Sequence, residues 1–149
     1  GWLEKQKGII ELLESFYNLI KSYDLKIKFI GFVEHKDVIK YYDMLSVFIA
    51  VSRRESFGVS VLEAAAFEIP SITSNIGGLT EVNLHNKTGI VIEPDRPMQL
   101  AKSIIKLYED NKLRNSLGSN ARKMVIKNFK WDGSVRKMLK IYRNAIKDN

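Results

Sequence analysis

The chain has 149 residues, 45% of them hydrophobic, which is enough for one domain with a real core. It has no cysteine, so disulfides and zinc–thiolate sites are excluded, and it has no apolar run near the roughly 18 residues needed to span a bilayer. The formal net charge of +7 fits either an anionic partner or a Lys-rich solvated surface. No secretory leader is visible, because Lys5 and Lys7 precede an acid-containing amphipathic pattern rather than an apolar stretch.

Residues 1–8 read as a loop leading into a helix. Ile9, Leu13, Phe16 and Ile20 then share one helical stripe, and the helix should end near Tyr23. Residues 25–33 (LKIKFIGFV) alternate and are rich in branched and aromatic side chains, which predicts a strand. Residues 35–45 return to helical spacing through Val38, Tyr42 and Leu45. Residues 46–51 (SVFIAV) form a short apolar strand of the kind buried on both faces. A helix follows over residues 58–67, with Ala64, Ala65 and Ala66 allowing close packing on a sheet.

Residues 70–74 (PSITS) predict another strand, with Pro70 at its start where no ladder donor is needed. A turn at residues 75–78 leads to a short helical turn over 79–83, a loop at His85-Asn86-Lys87 and a last strand over 88–92. Three helices close the chain. The first starts between Pro94 and Pro97 and buries Leu100, Ala101, Ile104, Leu107 and Tyr108. The second runs over 111–127, and the third over 132–147 with Asp132 as N-cap. Strands alternating with helices imply an α/β fold, a Rossmann-like parallel sheet with helices on both faces and a helical C-terminal tail, in a single domain over residues 1–149.

In such a sheet, ligands bind beyond the carboxyl ends of the strands. Residues 52–58 occupy that edge. A helix starting near Gly58 offers free N–H groups and a positive dipole end, a natural seat for phosphate. Glu55 precedes the helix, and Glu63 lies about five residues inside it, roughly 7–8 Å along the axis. The two carboxylates could meet the two ends of an extended ligand, such as a sugar and a ribose with phosphates between them. Spacing alone equally allows Glu55 as a capping acid and Glu63 as a surface helix residue. Gly77-Gly78 is a second backbone loop on the same edge, or a plain turn.

The run ESFGVSVLEAAAFEIPSITSNIGGLTEVNLHNKTGIVIEPD resembles the C-terminal domain of retaining glycosyltransferases of family 4, in the GT-B superfamily. The residues that carry the resemblance are Glu55, Phe57-Gly58, Glu63-Ala64, Pro70, Gly77-Gly78, Glu81 and Thr88-Gly89, followed by Asn120-Ala121-Arg122 and Trp131. The resemblance implies half of a GT-B fold that binds a nucleotide-diphosphate sugar, in polysaccharide or glycolipid synthesis. It gives Glu55 the catalytic place against the donor sugar and Glu63 the ribose. The backbone at Phe57, Gly58 and Val59 would hold the diphosphate, Lys7 would neutralise it, and Gly77 and Gly78 would line the cleft. It implies no cofactor and no metal, and His35 and His85 read as loop residues.

The chain departs from that pattern in three ways. Trp2 stands where the family has an arginine, so one phosphate cation is missing. The acceptor would sit on an N-terminal domain or partner chain outside these residues, so this chain alone should not turn over. Only residues 25–33 are available for two family strands, as if about 20–25 residues had been removed, which predicts about four strands rather than about six. Whether residues 25–33 take the second or the third strand position stays open. The alternative reading is a degenerate, non-catalytic nucleotide-sugar-binding or interaction module. A basic nucleic-acid binder explains the charge but neither glutamate nor the glycines, so no nucleic-acid partner is expected. A cytoplasmic location is expected, and the basic tail is compatible with a membrane surface.

Overall fold

A computed structural model describes residues 30–147, together with Tyr17 and Lys28. The described elements run α1 (His35–Tyr42), β1 (Phe48–Ala50), α2 (Val59–Ala66), β2 (Ser71–Ser74), α3 (Leu79–Val82), β3 (Gly89–Ile92), α4 (Pro97–Glu109), α5 (Asn111–Asn128) and α6 (Trp131–Lys147). The three strands form one parallel sheet in the order β1-β2-β3. Ile49 pairs with Ile72, and Ile72 with Ile90, so a row of isoleucines crosses the sheet.

Alternation along the strands sorts the core into two sides. Ile49, Val51, Ile72, Ile90 and Ile92 pack with Leu100, Leu107 and Leu117 of α4 and α5. Phe48 and Ala50 face the other way, toward Val61 of α2 and Leu79 and Val82 of α3. Tyr42, Ala64 and Ile69 extend that second side beneath α1. Helices therefore cover both faces, as the alternating strand and helix pattern predicts.

Small residues bring α2 close to its neighbours. Ala64 and Ala65 are buried, whereas Ala66 is exposed and its carbonyl accepts a 2.9 Å hydrogen bond from Arg122 Nη1 of α5. A β-carbon on Gly118 would overlap the Glu68 carbonyl, so α5 meets the end of α2 through bare backbone. Asn83 holds the other side of the sheet. Its buried Nδ2 lies 3.1 Å from the Ser71 carbonyl, 2.9 Å from Thr73 Oγ1 and 3.2 Å from the Ile90 carbonyl. Its Oδ1 accepts from Thr88 Oγ1 at 3.2 Å.

Several expectations change. Of the strand expected over residues 25–33, Lys28 and residues 30–33 are described, and they lie in no strand. Gly31 has φ +77°, a left-handed conformation that interrupts an extended backbone, and Phe32 beside it is 92% exposed. The described sheet thus has three strands; the rest of that segment lies outside the described residues. Of the helix expected over residues 9–20, Tyr17 alone is described, and it is helical. Tyr108 is exposed rather than inward, since it falls at the edge of the buried stripe of α4. Asp132 lies inside the first turn of α6, where it complements the helix dipole, and it is not the N-cap. The cap that forms is Asp110, which accepts from the Leu113 N–H at 2.8 Å and starts α5.

Candidate functional site at the carboxyl ends of the strands

The loops leaving the three strands are tied to one another. The buried Ser52 N–H after β1 donates to Ser74 Oγ at 2.9 Å. The Asn75 N–H after β2 donates to the Ile92 carbonyl at 2.7 Å, and its Nδ2 donates to Glu93 at 3.0 Å. Arg53 Nε donates to Asp95 at 2.7 Å, joining the loops after β1 and β3. These ties set the floor on which the predicted site residues stand.

Gly58 is the N-cap of α2, with φ +88° and ψ +50°. A β-carbon there would stand 2.7 Å from Leu79 Cδ2. Glycine is thus required both by the left-handed backbone and by the close approach of α3. Gly58 has no side chain to cap the helix, and the N–H groups of Val59 and Ser60 have no intrahelical acceptors. They carry the positive end of the dipole toward the strand-end edge.

The glycine pair has a packing reason as well. Gly77 has φ +42°, and a β-carbon on it would overlap the Glu55 carbonyl. A β-carbon on Gly78 would overlap the Ser56 carbonyl and stand 2.5 Å from Phe57 Cα. The loop after β2 therefore lies backbone to backbone on the loop after β1. Glu55 and Gly77 share one open cavity of about 510 Å³ with Arg53, Arg54, Ser56 and Ile76, a volume within the usual range of small-ligand sites.

Glu55 is half-buried, and its Oε1 accepts from the Ser56 N–H at 3.1 Å. It does not cap α2, because the cap position belongs to Gly58. Phe57 turns its ring onto Phe129, with centroids 6.0 Å apart in an edge arrangement, and so pins the loop to the end of α5. Its side chain is a packing group. Val59 is 60% exposed at the start of α2. Glu63 lies one turn further on, on the side of α2 that faces α1, where Tyr42 donates to its Oε2 at 2.9 Å. His35 Nε2 is 3.6 Å from Glu63 Oε1. His35 thus begins α1 instead of standing alone in a loop. His85 is a loop residue as expected, with Nδ1 accepting from the Val91 N–H at 3.0 Å.

The structure therefore sets Glu55, Ser56 and Phe57 against Gly77 and Gly78, places Gly58 at the start of α2, and carries Val59 and Glu63 on that helix. Lys7 and Trp2 lie outside the described residues. Sequence reasoning passed over Arg54, which lines the cavity, and Tyr42, which holds Glu63. Arg54 sits directly before Glu55, a cue available in the sequence; Tyr42 read only as an apolar-stripe residue. Burial, then the Glu63 hydrogen bond and its charge, raise the Tyr42 phenol well above its ordinary value. Among the described residues, no group of three or more His, Asp or Glu gathers as metal ligands, and no helix is long and apolar enough to cross a membrane.

The fold recurs in known proteins. Residues 2–124 match the family described as Glycosyl transferases group 1. The capsular polysaccharide biosynthesis glycosyltransferase CapM of Staphylococcus aureus is 29% identical over 174 aligned positions, covering 100% of this chain and 46% of CapM. The C-terminal domain of the group 1 glycosyl transferase LpcC from Francisella tularensis superposes with a TM-score of 0.78 at 24% identity, covering 85% of this chain and 82% of that one. Anabaena HepE, solved in complex with UDP-glucose, superposes with a TM-score of 0.72 at 21% identity, covering 89% of this chain and 36% of HepE. The chain thus spans less than half the length of CapM and HepE. The family match runs from the N-terminal segment into α5, and the fold is that of the LpcC C-terminal domain, so this chain belongs to the glycosyl transferases group 1 family.

Proposed function

We propose that this chain is the donor half of a retaining family 4 glycosyltransferase, binding a nucleotide-diphosphate sugar for polysaccharide or glycolipid synthesis. The observation that carries the reading is the placement of Glu55 and Glu63 on either side of the left-handed Gly58 cap, with the Gly77-Gly78 loop against the Glu55–Phe57 backbone. Glu55 meets the hydroxyls of the donor sugar and is the catalytic group of this half. The N–H groups at Phe57, Gly58 and Val59 hold the diphosphate at the start of α2. Glu63 accepts hydrogen bonds from the ribose hydroxyls. Lys7 neutralises phosphate charge, and Arg54 adds a guanidinium at the cavity wall.

The binding of UDP-glucose by HepE, a protein of the same fold, supports the nucleotide-sugar reading. In this reading the sugar passes from the diphosphate to an acceptor hydroxyl with retained configuration and without a metal. The acceptor site belongs to an N-terminal domain or partner chain, and the enzyme works in the cytoplasm, at the membrane surface when its acceptor is a lipid.

Calorimetric titration with UDP-, GDP- and ADP-sugars tests the reading. One nucleotide sugar should bind this chain, and turnover should require an added acceptor domain. Absence of heat with every donor at millimolar concentration would refute the donor-site assignment.

A further inference from the structure

Tyr42 ends α1 and is only 5% exposed. Its ring stacks on Phe67 at a centroid distance of 5.4 Å and meets Phe48 at 6.0 Å. One contact comes from the end of α2 and the other from β1, so the ring is fixed from two elements. The phenol then reaches α2 and donates to Glu63 Oε2 at 2.9 Å, with the Ser60 carbonyl farther away at 3.4 Å. Glu63 is in a different situation. Its side chain is 34% exposed, and His35, itself 90% exposed, approaches its Oε1 at 3.6 Å. The two carboxylate oxygens are therefore unlike. Oε2 is held from the core side by a neutral donor, while Oε1 lies on the open side.

A glutamate on a helix surface ordinarily samples several rotamers, and a ligand must order it on binding. The Tyr42 phenol does that ordering when the chain folds, and it leaves the negative charge of the carboxylate in place. A neutral partner suits this purpose, because a lysine or arginine there would compete with the ligand for the carboxylate.

We infer that Tyr42 is the positioning residue for Glu63, fixing its carboxylate so that the free acceptor sites receive the vicinal hydroxyls of a nucleotide ribose. This inference rests on the assignment of Glu63 to the ribose under the proposed function. Tyr42 touches no ligand itself. Its effect should appear only where the ligand carries the hydroxyls that Glu63 reads.

The test is calorimetry on this chain with UDP, GDP and ADP, and with the 2′,3′-dideoxy form of whichever binds most tightly. The variants are Tyr42→Phe, Glu63→Gln and the double variant. Tyr42→Phe keeps the ring between Phe48 and Phe67 and removes only the hydroxyl. It should weaken the ribonucleotide about tenfold, in line with one hydrogen bond to a charged group, and leave the dideoxy affinity unchanged. The double variant should bind no more weakly than Glu63→Gln, because the two residues act as one unit. Equal loss for both nucleotide forms in Tyr42→Phe would show a general packing role and overturn the inference. Selective loss in Glu63→Gln without any in Tyr42→Phe would also overturn it while leaving the ribose assignment standing. Unchanged ribonucleotide affinity in Glu63→Gln would remove the ribose assignment itself, and the inference with it.

Discussion

Gly78 lies so close to Ser56 that a β-carbon on it would overlap the Ser56 carbonyl oxygen. The neighbouring backbone cannot give way cheaply, since it also carries Glu55 and leads into Gly58. Gly78→Ala should therefore destabilise the chain by about 1–3 kcal/mol, the usual cost of overpacking. It should also weaken nucleotide-sugar binding, because the Glu55 loop must move. Denaturant midpoints and calorimetric affinities measured on the same variant check both effects.

Gly133 is the opposite case. It sits inside α6, and a β-carbon there would meet nothing within 4 Å. Gly133→Ala should stabilise the helix by about 0.5–1 kcal/mol through the lower backbone entropy of the unfolded chain. The check is a higher unfolding midpoint with unchanged nucleotide-sugar affinity.

The two glutamates should separate by ligand. Glu63→Ala should weaken bare nucleotide and nucleotide sugar alike, by about tenfold or more for a lost charge-assisted hydrogen bond. Glu55→Ala should weaken the nucleotide sugar while sparing the bare nucleotide. Parallel titrations with both ligands report the difference, and equal losses in Glu55→Ala would contradict its assignment to the sugar.

Asn83 joins β2, β3 and the loop after α3 through four buried hydrogen bonds. Asn83→Ala strands acceptors on both strands and opens a small void. A loss of about 2–4 kcal/mol is expected from unsatisfied buried polar groups. Urea unfolding should show the lower midpoint with little change in slope.

The Tyr42 phenol also predicts a pH dependence. Its folded-state value is raised above the ordinary value near 10, first by burial and then by Glu63. Above pH 10 the unfolded chain gives up this proton and the folded chain keeps it, so the unfolded state binds fewer protons. Stability is therefore full below pH 10 and falls as pH rises beyond it. Lysines titrate in the same range, so the difference between the parent chain and Tyr42→Phe isolates the contribution. Urea midpoints from pH 9 to 11 should fall more steeply for the parent.

Much of the fold is legible in local pattern. Apolar strand runs at 46–51 and 70–74, helical spacing after Pro97, and Gly58 ahead of a helix all lie where the structure has β1, β2, α4 and α2. Such features are written in neighbouring residues, through side-chain periodicity and backbone preference. The candidate site is legible as far as its residues are contiguous, from Glu55 to Glu63. Its other wall is not. Gly77 and Gly78 read locally as a turn, whereas their need for glycine comes from the Glu55 and Ser56 carbonyls some twenty positions away.

By itself, then, the amino-acid order determined the alternation of strands and helices and marked the stretch of the candidate site. The tertiary structure decided which side of Glu63 is held and which is open, because Tyr42 reaches it from α1 across 21 positions. It also decided that Gly31 interrupts the stretch that alternation alone makes a strand. Both outcomes turn on groups distant in sequence or on a backbone angle, and local hydrophobic pattern carries no record of either.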